Sequence, residues 1–172
     1  MTPGTIYNIP PEPSDPARTT LIDAGVLRFG VEPRQINRES LRASYAGDPV
    51  ALARFEALVA DGRDIADGGV SIHVFGAADG HEYLRFDCFD DEPHYHYHHR
   101  TGQGEVVVNH WVPFDRVACG EMLPWAIATL RARLPEMLTK ARGAHLTDRI
   151  DAAAVERALI RVEELARSAP SR

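Results

Sequence analysis

Residues 69 to 90 read GVSIHVFGAADGHEYLRFDCFD, and this stretch decides the fold class. Apolar and polar side chains alternate along both halves, a pattern that is typical of β-strands with one buried face. The halves meet at Asp79 and Gly80, a pair that favours the two central residues of a type I′ turn. We therefore predict two antiparallel strands, residues 69–77 and 82–90, that form a hairpin.

The length of the turn also predicts the register of this first hairpin. With two loop residues, every residue of the first strand faces one fixed residue of the second. The predicted pairs are Ser71 with Cys88, His73 with Phe86 and Phe75 with Leu84. Side chains that face each other across a hairpin share one side of the sheet, so we predict that these six form its buried face.

Residues 90 to 99 read DDEPHYHYHH and hold half of the eight histidines of the chain. An extended strand alternates its side chains between two faces. One face would therefore receive the ligand-type side chains of Asp90, Glu92, His94, His96 and His98. The opposite face would receive the aromatic rings of Tyr95 and Tyr97.

A second hairpin is predicted from strands at 94–100 and 105–112, joined by the turn residues 101–104, which read TGQG. The predicted register places Arg100 opposite Glu105, Asn109 opposite His96, and Trp111 opposite His94, with His110 on the face of the two tyrosines. The two hairpins together predict a four-stranded antiparallel meander over residues 69–112.

Helices are predicted on both sides of the meander. Asn37 is the expected N-cap of a short helix to Ala46, and Asp48 with Pro49 begins a second helix that Gly62 ends. Helices that flank an antiparallel sheet in this way make an α+β fold.

After the meander, apolar residues at helical spacing predict a helix over 122–142, with a kink at Pro135. Thr147 is the expected cap of a last helix over 147–167, whose apolar stripe is narrow and rich in alanine. A narrow stripe favours docking against another helix, in the same chain or in a partner subunit.

The first 20 residues carry five prolines, which disfavour both helix and sheet and predict an extended arm. A short strand is expected within residues 21–31, ended by Pro33. We therefore expect two parts in this chain, an arm over 1–20 and a single α+β domain over 21–172.

The composition excludes several classes of protein. A length of 172 residues with 44% hydrophobic content suits one domain with a buried core. A net charge of -6 argues against binding to nucleic acid, and two cysteines are too few for a disulfide framework. Neither a signal sequence nor an apolar run of about 20 residues is present, so a cytoplasmic protein without membrane contact is expected.

The histidine stretch predicts a site for a divalent transition metal such as iron, zinc, manganese, nickel or copper. Imidazole nitrogens and carboxylate oxygens are ligands that these metals share. His94 and His96 lie two residues apart on one strand face, so both can reach one ion. His98 or Glu92 would supply the third ligand. The carboxylates of Asp87, Asp90 and Asp91 would bind the spare ring N–H groups.

Whether the protein is an enzyme stays open at this level. If it is one, Tyr95 or Tyr97 could supply a proton or orient a small-molecule substrate of unidentified type. One alternative is a non-catalytic, homodimeric interaction module with a His/Tyr-rich sheet face, and another is a pH switch built on the histidine cluster. A concave pocket beside the histidines would favour a binding site, whereas a flat, open sheet face would favour an interface.

Overall fold

The computed structural model describes residues 4–7, 9–60, 62, 65–100 and 107–169. The strands in these ranges are β1 Thr5–Tyr7, β2 Thr20–Ala24, β3 Leu27–Asn37, β4 Ala66–Gly76, β5 Glu82–Phe89, β6 His94–Arg100 and β7 Val107–Pro113. The helices are α1 Arg38–Ser44, α2 Pro49–Leu58, α3 Arg116–Cys119, α4 Met122–Lys140, α5 Ala144–Thr147 and α6 Ala152–Ser168. Among them, no helix combines the length and the apolar character needed to cross a membrane.

The described strands form one antiparallel sheet in the order β1-β7-β6-β5-β4-β3-β2. From β2 to β7 the strands follow the order of the chain, and β1 lies at the far edge beside β7. The predicted antiparallel α+β class is confirmed. The predicted sheet of four strands is too small, because the sheet has seven and the four predicted strands correspond to β4 to β7.

The prediction differs most from the structure at β3. This strand was expected to end before Pro33 but continues to Asn37. A proline inside a strand is tolerated where its missing N–H would face no neighbouring strand. β2 pairs with β3 only as far as Val31, so the following residues have an open side. The Pro33 carbonyl accepts a hydrogen bond from the Arg18 side chain on that side, away from β4.

The register of the first hairpin differs from the prediction for two reasons. The Gly76 N–H donates to the His81 carbonyl at 2.9 Å, so the loop has four residues rather than two, which shifts the pairing by two positions and keeps the faces. A β-bulge at Tyr83 then shifts the pairing back by one position, so the net displacement from the prediction is one residue and the faces are exchanged. The observed pairs are Ile72 with Phe86, His73 with Arg85 and Val74 with Leu84.

Only half of the predicted buried face is therefore correct. Leu84 and Phe86 belong to the main core, as expected. Ser71 and His73 lie on the opposite side of the sheet, which is also buried. His73 and Cys88, which were predicted to share a face, therefore lie on opposite sides of the sheet.

The second hairpin is displaced by two residues from its predicted register. The observed pairs are His94 with Pro113, His96 with Trp111, His98 with Asn109 and Arg100 with Val107. The predicted pairs of Asn109 with His96, Trp111 with His94 and Arg100 with Glu105 are therefore wrong. A displacement of two leaves each side chain on its predicted face, and His110 indeed pairs with Tyr97. The expected turn at 101–104 lies outside the described residues.

The main core lies between one face of the sheet and helices α4 and α6. Leu27, Phe29, Leu84 and Phe86 of the sheet are fully buried. Fully buried helix residues in the same core include Ile127, Leu130, Leu138 and Leu159. We call this side of the sheet the core face.

The helix α4 begins at Met122 as predicted, whereas the last helix begins at another residue than expected. Thr147 ends α5 and does not cap the last helix. The cap of α6 is Asp151, whose carboxylate accepts hydrogen bonds from the backbone N–H groups of Ala153 and Ala154. α6 packs against α4 and against β2 and β3 of the same chain.

The other side of the sheet, which we call the polar face, is covered by α1, α2 and the N-terminal strap, residues 9–19. α1 and α2 begin at the predicted caps, Asn37 and Asp48. The strap runs between β1 at one edge of the sheet and β2 at the other edge. A small second core joins it to α2 through Ile9, Ala51, Phe55 and Val59.

Candidate metal centre

The polar face consists of buried charged and polar side chains on the five adjacent strands β3 to β7. Strand alternation places them opposite the core face. They are Glu32 and Arg34 of β3, Ser71 and His73 of β4, Arg85 and Asp87 of β5, His94, His96 and His98 of β6, and Asn109 of β7. Burying so many polar groups requires that they bind one another, so their contacts define what the face can do.

The bulge at Tyr83 adds Glu82 to this face. Without the bulge, Glu82 would point to the core face with Leu84. With it, Tyr83 packs into the main core and Glu82 lies beside Arg85, which donates to both of its carboxylate oxygens at 2.8 and 2.6 Å. The bulge therefore places the Glu82 carboxylate on the polar face instead of in the apolar core.

Three ligand-type side chains converge on the polar face where β5 meets β6. Asp87 pairs directly with His94, and His96 follows two residues later on the same face. Oδ2 of Asp87 lies 3.0 Å from Nε2 of His96 and 3.3 Å from Nε2 of His94. One ligand atom from each residue lies within 4.8 Å of the others, and all three residues are buried. This spacing suits one metal ion.

The hydrogen bonds of the two rings fix which nitrogen faces Asp87. Nδ1 of His94 lies 2.6 Å from the carbonyl oxygen of Glu92, which can only accept, so Nδ1 carries the proton. Nδ1 of His96 lies 2.7 Å from Oδ1 of Asn109 and donates to it in the same way. In the neutral form of each ring, Nε2 therefore carries the lone pair and faces the Asp87 carboxylate. Three electron-pair donors that meet without a proton between them form a site for a cation.

The protonation states agree with this arrangement. Burial lowers the pKa of His96 to about 3, so its ring is neutral at pH 7. Burial raises the pKa of Asp87, but interactions that include the positive charge of Arg85 lower it by more, to well below the ordinary value. Neutral imidazole and ionised carboxylate are the forms that bind metals.

Among the described residues that pair with one another on the polar face, acids outnumber bases. Its carboxylates belong to Glu12 of the strap, Glu32, Glu82 and Asp87, and its guanidinium groups to Arg34 and Arg85. Even with His73 protonated, these groups leave one negative charge in excess. Buried charge without a counterion is costly, so this imbalance favours a bound cation.

His73 lies between two of these carboxylates at the other end of the face. Its Nε2 is 3.1 Å from Glu32 and its Nδ1 is 2.5 Å from Glu82. Burial lowers the pKa of His73, but the two carboxylates outweigh burial and raise it above its ordinary value. We interpret this cluster as an internal ion pair that joins β3, β4 and β5.

The structure separates the other predicted metal ligands from the converging group. Nδ1 of His98 lies 3.4 Å from Glu82, on the side of the His73 cluster. Glu92 offers its backbone carbonyl to His94, and its exposed side chain lines a neighbouring cleft together with Asp91. Asp90 is exposed.

The two tyrosines predicted to act in catalysis lie on the core face. The ring of Tyr95 is 5.8 Å from that of Phe86 and 5.3 Å from that of Trp125. Tyr97 is also half-buried against the main core. The sheet stands between both hydroxyl groups and the converging group, so no described contact joins them to it.

Two neighbouring cavities lie beside the converging group. A small one of about 130 Å³ separates the group from the strap and is lined by Asp87, His94, His96 and Asn109. A larger cleft of about 480 Å³ lies between α2 and the sheet. His94 lines both, so the cleft adjoins one of the three residues of the converging group.

Comparison with known proteins identifies a family but not an activity. Residues 21–166 match the model of a family described as a domain of unknown function, DUF7700, and the chain belongs to this family. No curated protein and no solved structure matches the chain. Function must therefore be argued from the geometry of the site.

Proposed function

We propose that this protein binds one divalent transition-metal ion through Oδ2 of Asp87 and the Nε2 atoms of His94 and His96. The observation that carries the proposal is the convergence of these three atoms with both ring protons held elsewhere, on the Glu92 carbonyl and the Asn109 side chain. Asp87 takes the place that sequence reasoning gave to His98 or Glu92.

Two imidazoles and one carboxylate form a ligand set with open coordination positions. Iron(II), zinc and manganese are the metals that this set suits best, with nickel and copper as further candidates. When bound, the ion would act as a Lewis acid or as a dioxygen site. The chain itself keeps the rings in one orientation through Asn109 and Glu92, and the strap limits access of water.

Metal analysis of untagged protein, purified without chelator, tests the proposal. We expect about one ion per chain in the wild type and a loss of the ion in the His94→Ala/His96→Ala variant and in Asp87→Asn. His99→Ala is the matched control, since His99 lies on the same strand but on the other face. The control should keep the ion.

The outcome also decides about the ligand set. Wild-type protein that is empty and refuses added metal at micromolar concentration would overturn the proposal. If Asp87→Asn keeps one metal ion per chain while the double histidine variant loses it, the third ligand is His98 or Glu92 and not Asp87. Circular dichroism of each variant shows whether a loss of metal follows from unfolding.

The two alternatives from the sequence receive less support. An interaction module would need an open sheet face, whereas in the described residues α4 and α6 cover one side of the sheet and the strap, α1 and α2 cover much of the other. A pH switch would need histidines of the cluster that titrate near neutral pH, and the pKa of His96 lies at about 3. Both stay predictions.

A further inference from the structure

The cleft beside the proposed metal centre has the size and the walls of a small-molecule site. Its volume of about 480 Å³ falls inside the usual range for ligand pockets, about 300 to 1,000 Å³. Ile36, Leu41, Phe55 and Trp111 contribute apolar walls, and Leu58 of α2 lines it as well. Leu58 is 49% exposed although it is a large apolar residue, so part of the apolar surface of α2 is left open at the cleft.

The cleft has a coordinating end and an acidic end. At one side it reaches His94, whose ring also lines the small cavity at the converging ligand atoms. The charged side chains among its described lining residues are Asp67, Asp91 and Glu92, all of them acidic. Asp67 accepts hydrogen bonds from the backbone N–H groups of Asp91 and Glu92, which holds this acidic segment at the cleft.

From this arrangement we infer that the cleft binds a small, mainly apolar molecule that gives one lone-pair donor to the metal ion and carries no further negative charge. This inference rests on the proposed metal centre. Apolar walls stabilise a ring or an alkyl chain by removing it from water. The carboxylate of Glu92 would repel an additional anionic group, which argues against phosphorylated and dicarboxylate ligands.

Three related probes test the inference on the full chain loaded with Co²⁺, whose visible spectrum reports its coordination. Imidazole offers the donor nitrogen alone, 4-phenylimidazole adds an apolar ring, and 4-(imidazol-4-yl)benzoate adds a carboxylate to that ring. We expect 4-phenylimidazole to bind at least about tenfold more tightly than imidazole, because the ring is buried in the cleft. The benzoate should lose most of this gain at low ionic strength.

A matched pair of variants locates the effect. Leu58→Asp changes the wall of the cleft, and Val50→Asp makes the same change at another exposed residue of α2 that does not line it. We expect Leu58→Asp to weaken binding of 4-phenylimidazole by about fivefold or more and to leave imidazole binding unchanged. Val50→Asp should behave as the wild type with both probes.

The measurement separates the two proposals. If the wild type takes up no Co²⁺, the metal centre fails and the inference falls with it. If it takes up Co²⁺ through Asp87, His94 and His96 but binds 4-phenylimidazole no more tightly than imidazole, only the inference is overturned. Tight binding that Leu58→Asp leaves unchanged would also overturn it, because the ring would then lie outside this cleft.

Discussion

Asn109 determines the chemistry of His96 without facing the proposed ion. Its Oδ1 accepts the Nδ1–H of His96 at 2.7 Å and so keeps the Nε2 lone pair directed at Asp87. We predict that Asn109→Ala lowers metal affinity about 10- to 100-fold, the usual cost of losing a partner of a ligating histidine. Competition with a chromophoric chelator measures the change.

The conservative substitution at this position gives the control. Asn109→Asp keeps an acceptor for the His96 Nδ1–H, so its affinity should stay close to that of the wild type. Equal losses in both variants would show that Asn109 contributes to folding of the face and not to the orientation of the ring.

His73 gives a prediction for the dependence of stability on pH. Because the folded-state pKa of His73 is raised, its contribution is fully present below the ordinary pKa of about 6.5 and is lost as pH rises through the raised value. His73→Gln should therefore lower the free energy of unfolding by about 3 to 5 kcal/mol at pH 6. The difference from the wild type should shrink as the pH rises to 9.

Urea denaturation at several pH values checks this prediction. His145→Gln serves as the control, because His145 is exposed and should change little at any pH. A difference between His73→Gln and the wild type that stays constant from pH 6 to 9 would show that His73 is neutral in the folded protein.

At the residue scale, the sequence predicts two of the three proposed ligands. His94 and His96 share a face because of local strand alternation, and a shift of two in the hairpin register leaves that face unchanged. The role of Asp87 depends on which residue of β5 stands beside β6, and this pairing is a tertiary contact that alternation does not encode. Asp87 was therefore expected only as a partner of the ring N–H groups.

At the scale of elements, the start of α6 is stabilised by Asp151. Its carboxylate accepts two backbone N–H groups, at 2.9 Å from Ala153 and 3.0 Å from Ala154. We predict that Asp151→Ala lowers the free energy of unfolding by about 0.5 to 2 kcal/mol, whereas Thr147→Ala lowers it less. Chemical denaturation of both variants checks the prediction, and a larger effect at Thr147 would contradict the observed cap.

Sequence patterns predict the starts of α1 and α2 well but do not predict the bulge or the end of β3. The caps Asn37 and Asp48 are correct because a capping side chain and its N–H partners lie within three residues. The bulge at Tyr83 could not be predicted from alternation, because alternation assumes a regular strand and would place Glu82 on the same face as Leu84. The prediction ended β3 too early. A strand can continue through Pro33 only where β2 no longer pairs with β3, and the sequence does not show where β2 ends.

At the scale of the molecule, the sheet separates two kinds of interior. The core face holds the main apolar core with α4 and α6, and the polar face holds the ion pairs and the proposed metal ligands. The strap covers the polar face because β1 and β2 lie at opposite edges of the sheet, so the chain between them must cross it. The main apolar core and the proposed metal centre therefore lie on different sides of one sheet.

This division predicts that the strap controls how fast the metal leaves. Arg85 donates to the Glu12 carbonyl at 2.7 Å and the Tyr45 hydroxyl donates to the Pro10 carbonyl at 3.0 Å. Each bond contributes about 1 kcal/mol, so Tyr45→Phe should speed metal transfer to excess EDTA severalfold, and deletion of residues 1–13 should speed it by about tenfold or more. The main core lies on the other face, so far-ultraviolet circular dichroism should change little. Unchanged transfer rates in a folded deletion variant would show that the ion leaves through the cleft beside α2 instead.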